Sequence, residues 1–260
     1  MIFDTHAHYD DDAFNEDRDT LLASLKENGV GGVVNVSSSM ATIKTSIGLA
    51  EKYPFIYTSV GVHPDEVGAL DEVAYEELFM SAKHEKCVAI GEIGLDYYWN
   101  KEIKEVQAAA FRRQLDIARE LNLPVIIHSR EAASDTFEIM KEAYRAGIHG
   151  VIHCYSYSWE MAKEYIKMGY FIGVGGVLTF KNAAKLKEVV KNAPMESLVL
   201  ETDCPYLSPV PHRGERNSSI NIKYVVETMA ELKGVTTEEI ERVTWDNAMR
   251  LYSFMESLPI

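Results

Sequence analysis

MIFDTHAH, residues 1–8, reads as a short apolar strand whose polar residues gather towards one end. Side chains alternate between the faces of a strand, so His6 and His8 share a face, with Asp4 two residues behind them. Two neutral imidazoles side by side are well placed to grip one metal ion. Two hydrogen-bonded histidines at a strand edge would be spelled the same way. The rest of the chain separates these readings.

Further β-rich stretches follow at 30–36, 55–62, 86–93, 123–127, 148–153, 170–174 and 198–202. Between them lie segments of helical spacing at 17–28, 40–52, 71–83, 102–121, 133–146, 159–168 and 182–192, with two more at 218–233 and 237–255. Gly29 supplies a helix stop, and Ile103, Val106, Ala110, Ile117 and Leu121 recur at helical spacing in 102–121. Eight strand–helix units in roughly 250 residues, with strands apolar on both faces, predict an α/β fold of the (β/α)8 TIM-barrel kind. A doubly wound open sheet usually has fewer strands. No linker or composition shift divides residues 1–260, so one domain is expected.

Such barrels build their active sites at the C-terminal ends of the strands. Those ends carry His6 and His8, then His63, Glu92, His128, His153 and Asp203, so five of the eight histidines fall there. Scattered surface histidines would rarely do so. Several His with carboxylates beside them is the ligand inventory of a one- or two-metal hydrolytic site. Glu201 shares a face with Asp203 and, like Asp4, is expected to support the ligands from behind. Cys154 and Cys204 are expected to point away from that face and to pack.

The composition sets limits. With 47% hydrophobic and 25% charged residues the chain suits a soluble domain with an ample core. There is no membrane-length apolar run and no signal peptide, so the cytoplasm is the expected location. Three cysteines without C-x-x-C spacing indicate neither a disulfide framework nor a Cys-rich zinc site. The net charge of −14 argues against unselective attraction to nucleic acid, though not against a local positive patch. A monomer is favoured.

The segments FDTHAHYD (3–10), GVHPDEV (61–67), IGEIGLDYY (90–98), PVIIHSREA (124–132), HCYS (153–156), GGVLTF (175–180) and LETDCPYLSPVPHRGERN (200–217) closely resemble the TatD family of metal-dependent deoxyribonucleases, of the amidohydrolase-like barrel group. The resemblance implies a binuclear site. His6, His8 and Asp203 would hold one divalent cation, Glu92 would bridge, and His128 and His153 would hold the second. Asp203 would also serve as general base. Two cations about 4 Å apart bring a bridging water towards neutrality and offset charge on a phosphoryl oxygen. Zn, Mn, Ni or Fe suit such nitrogen-and-carboxylate ligands, and Mg favours a more oxygen-rich site. Asp65 stands where the family often has a second His, and Ser218–Ser219 where it has Glu-Pro.

The implied substrate is DNA, read as single-stranded or frayed ends cleaved in the 3′-to-5′ direction. Arg130, Arg213 and Arg216 lie on loops at the catalytic face and suit bidentate phosphate recognition. Tyr97, Tyr98, Trp99, Tyr155 and other rings on the same rim can stack bases. With His63 and Tyr155, the three arginines are the expected substrate contacts. The alternatives are a hydrolase of a small amide, lactone or phosphate ester, and a metal-binding barrel without catalysis.

Overall fold

The computed structural model describes residues 1–253. Eight strands form one sheet in chain order: β1 (Ile2–Ala7), β2 (Val30–Val36), β3 (Ile56–Val60), β4 (Cys87–Asp96), β5 (Val125–Arg130), β6 (Gly150–Ile152), β7 (Phe171–Val174) and β8 (Leu198–Leu200). The resolved pairings are parallel, and Ala7 forms a parallel bridge to Cys204, just beyond β8. Helices α1 (Arg18–Ser24), α2 (Met40–Lys52), α3 (Glu72–Ser81), α4 (Lys104–Leu121), α5 (Ala133–Arg145), α6 (Trp159–Lys167) and α7 (Ala184–Asn192) alternate with the strands. Two more, α8 (Ile222–Lys233) and α9 (Thr237–Leu251), close the chain. This is the (β/α)8 fold that the spacing predicts. Helix α9 stops at Leu251, and residues 254 and 255 of the expected 237–255 helix lie outside the described residues.

The chain comprises two compact units. Met1–Val34, Cys154–Lys167 and the stretch from Phe171 onwards make one; Asn35–His153 and Met168–Tyr170 make the other.

In the first unit α9 does most of the docking. Thr236 caps it by accepting the Glu239 N–H, a contact worth about 1 kcal/mol. Gly234 ends α8 in the left-handed conformation at φ +69°, where a side chain would be strained. Trp245 packs edge-on to Phe3 at 5.7 Å. Asn247 Nδ2 donates to Met195 O and Leu198 O at 2.7 and 2.6 Å, fixing the start of β8.

In the second unit α4 departs from its predicted face. Val106, counted as apolar-face from its spacing, is 48% exposed, whereas Gln107 and Gln114 are buried. Both amides pair with strand-end backbone. Gln107 accepts from Asp96 N and donates to Asp96 O, both at 2.9 Å. Gln114 does the same for Val62 at 2.8 and 3.1 Å. Two polar residues one heptad apart thus close the open ends of β3 and β4, and an apolar-only reading rotates the helix away from them.

Candidate metal centre

In the first unit, β1 brings His6 to a buried position and His8 to a half-buried one. Their Nε2 atoms converge to 3.0 Å, and Asp203 Oδ1 lies 3.7 Å from His6 Nε2 and 3.4 Å from His8 Nε2. Ligand atoms about 2.1 Å from a tetrahedral ion are about 3.4 Å apart, so this donor set fits one divalent cation. Backbone bonds set the geometry: Asp203 N donates to His6 O at 2.9 Å, and His8 N to Cys204 O at 2.8 Å. Asp203 itself takes a left-handed φ of +58°, which a short polar side chain tolerates. Strand β8 stops at Leu200, so Asp203 sits on the turn that follows the strand rather than at its last residue.

Asp4 is fully buried behind this group. Its Oδ2 accepts from Thr202 Oγ1 at 2.7 Å and Ser219 Oγ at 2.6 Å, and its Oδ1 from the Thr202 and His6 N–H groups at 3.1 and 3.2 Å. Burial pushes its carboxyl up to about 7, against the pull of the Ser219 and Thr202 hydrogen bonds. Glu201 is 1% exposed and accepts the Cys154 N–H at 2.7 Å. Both carboxylates therefore hold backbone. Cys204 is buried and packs as expected, its thiol pushed up by burial.

In the second unit, Glu92, His128, His153 and His63 come together. Glu92 Oε1 lies 2.8 Å from His128 Nδ1 and 3.7 Å from His153 Nε2. The His63 ring stands edge-on to that of His128 at 4.3 Å, and His63, Glu92 and His128 form a second set of ligand atoms close enough for one ion. The structure thus joins His63, expected to touch substrate, to the ligand group.

A residue that the sequence pattern does not single out completes it. Asp96, the last residue of β4, accepts from His128 Nε2 at 3.0 Å. Both ring nitrogens of His128 thus face carboxylates and donate to them in the metal-free chain; an ion taking the place of the Nδ1 proton would leave the Asp96 bond to orient the ring, the carboxylate–histidine pairing of a metal ligand. Burial opposes charge on His128, yet the Asp96 and Glu92 bonds push it up to about 9. His63 moves the other way, down to about 4, through burial and the neighbouring His128. Asp96 keeps the parity of Glu92, four residues on. An expected end of β4 at 93 hides that signal.

The remaining expected contacts divide. Arg130 is exposed and lies over the Tyr98 ring at 4.0 Å; Arg213 is exposed and lies over the Phe180 ring at 3.9 Å. Arg216 is committed: it binds both Asp17 oxygens at 2.7 and 2.6 Å and donates to Ala13 O at 2.7 Å. Tyr155 is 2% exposed, with its hydroxyl donating to Ser158 O at 2.8 Å, so its ring packs inward.

An α/β barrel sheet whose strand ends gather imidazoles and carboxylates into ion-sized groups defines the class of metal-dependent hydrolases. Comparison with known proteins places the chain within that class. The sequence profile of the TatD related DNases matches residues 3–253. The metal-dependent hydrolase YabD of Bacillus subtilis is 43% identical over 252 residues, with 97% of this chain and 99% of YabD covered. YcfH of Escherichia coli, also named a metal-dependent hydrolase, is 37% identical with 97% and 96% covered. The crystal structure of YjjV, a TatD homologue from E. coli, matches with a TM-score of 0.92 at 30% identity, covering 99% of this chain and 98% of that one. An organophosphorus hydrolase from Deinococcus radiodurans matches with a TM-score of 0.62 at 13% identity over 96% of this chain and 92% of that one, a likeness of fold alone. The chain belongs to the TatD related DNase family and is a metal-dependent hydrolase.

Proposed function

We propose that the chain is a deoxyribonuclease that hydrolyses phosphodiesters at the 3′ ends of single-stranded or frayed DNA. The observation that carries this reading is the TatD DNase match over 3–253, which spans both ligand groups. His6, His8 and Asp203 would hold one divalent cation, and His128 and His153, with Glu92, a second. Mn, Zn, Ni or Fe suit these donors, with Mg as the oxygen-preferring alternative. Such ions, when bound, lower the pKa of a ligated water and offset charge on a phosphoryl oxygen.

The residues of the chain supply the rest. Asp203 has a 20% exposed side chain against 1% for His6, so its carboxylate is open to take a proton from an attacking water. Asp4, Glu201 and Asp96 hold backbone and ring positions, so little reorganisation remains to be done during reaction. His63, kept uncharged at neutral pH, adds no repulsion towards a cation. Arg213 offers a guanidinium for a phosphate oxygen. Among the described residues no helix is long and apolar enough to cross a membrane.

The test is digestion of end-labelled single-stranded DNA by metal-stripped protein, with Mg, Mn or Zn restored, beside an Asp203→Asn variant. Metal-dependent shortening that falls by about 100-fold or more in the variant supports the activity and a place for Asp203 in it. Turnover of small esters or lactones without DNA cleavage would replace this reading.

A further inference from the structure

Asp96 does more than orient His128. It is 1% exposed, and the oxygen not used by His128 accepts the backbone N–H groups of Tyr98 and Trp99 at 2.8 and 3.0 Å. One carboxylate therefore ties a candidate metal ligand to the loop that follows β4. That loop carries two rings into solvent: Tyr98 is 54% and Trp99 62% exposed, edge-to-face at 4.7 Å. Arg130, on β5, covers Tyr98 at 4.0 Å and approaches Trp99 at 5.5 Å.

Exposing two adjacent large rings loses the apolar burial each could have had elsewhere. A guanidinium stacked on a ring keeps its N–H donors in its own plane, available to an anion. The chain has 40 acidic residues, yet among the described residues Arg130 forms no ion pair with any of them. Aromatic faces beside an unspent guanidinium match the two parts of a nucleotide.

We infer that Tyr98, Trp99 and Arg130 form a subsite for one nucleotide of a single strand, the rings stacking its base and the guanidinium holding its phosphate, with Asp96 positioning that subsite against His128. This rests on the nuclease reading and names the part of the molecule that would grip the strand. Stacking on a ring is tolerant of sequence, so the subsite distinguishes a base from no base rather than one base from another.

The test measures the binding of short phosphorothioate-linked oligothymidylates to the metal-loaded protein by fluorescence anisotropy. One probe is intact and one carries abasic residues at its 3′ end. The wild type is expected to bind the abasic probe about 10-fold more weakly, and Trp99→Ala to bind both equally at that weaker level. Asp96→Asn retains an oxygen for the two N–H groups but turns its amide to His128, so it is expected to keep the preference for bases while losing cleavage. Asp96→Ala should lose both. Equal binding of the two probes by the wild type, or a preference that survives Trp99→Ala, would overturn the subsite. A preference that survives Asp96→Ala would overturn the positioning role. Base-dependent binding without cleavage of ordinary DNA would remove the nuclease reading and leave the subsite; cleavage without base dependence would do the reverse.

Discussion

The carboxylate of Glu201 fills the space in which residue 173 would carry a side chain: a Cβ at Gly173 would collide with Glu201 Oε2. Glu201 is buried and its other oxygen holds the Cys154 N–H, so it has no route outward. Gly173→Ala is therefore expected to cost about 1–3 kcal/mol of stability, read by urea denaturation, and to lower activity about 10-fold. A variant of native stability and activity would show that Glu201 can move aside.

Asp4 couples stability to pH. Its carboxyl is raised to about 7 in the fold by burial, above the ordinary 3.8, so the folded state holds a proton that the unfolded chain releases. Stability of the metal-free protein should then fall as pH rises from about 4 to about 7 and change no further on this account above that. Asp4→Asn should flatten that slope. Asp4→Ala, which removes the carboxylate that two hydroxyls and two N–H groups share, should cost about 1–3 kcal/mol. Thermal melts across that range decide it; an unchanged slope in Asp4→Asn would assign the dependence to another group.

The two loop arginines should separate by measurement. Arg213→Ala is expected to raise KM for single-stranded DNA, leave the melting temperature unchanged and reduce the salt slope of binding by about 0.7 for each phosphate that is no longer neutralised. Arg216→Ala breaks the clamp on Asp17 and Ala13 and should lower the melting temperature slightly while leaving KM unchanged. Equal effects on KM would place both at the substrate.

The thiols give an independent check of the packing. Burial pushes Cys87 up to about 12 and raises Cys204 as well, whereas Cys154 is half-buried. An aromatic disulfide reagent at mildly alkaline pH is expected to titrate one thiol in the native protein and three after denaturation. Three fast thiols in the native protein would contradict the burial of β4 and of the Cys204 turn.

The fold is legible in the sequence because period-2 and period-3.6 patterns alternate without interruption. Helix α2 falls on 40–52 and strand β2 on 30–36, as the spacing predicts. Strand ends are harder. Strand β4 runs on to Asp96 through Gly94, whose lack of a side chain hides the alternation; β8 stops two residues short because Thr202 turns its N–H towards Asp4. The candidate ligands are visible because histidine is rare and its placement at strand ends is not random. Asp96 is not, since a single aspartate beside Tyr97 and Tyr98 reads as an ordinary loop residue. Nor can the sequence show Arg216 turning back on Asp17, a pairing of residues far apart in the chain.

Hydrolysis of DNA from a 3′ end is tested most directly by comparing linear and circular single strands of equal length with the metal-loaded protein. The linear strand carries its label at the 5′ end in one experiment and the 3′ end in another. Stepwise shortening of the 5′-labelled strand, immediate release of the 3′ label as mononucleotide and an intact circle are the expected results. Cleavage of the circle, or internal fragments appearing before terminal nucleotides, would contradict it.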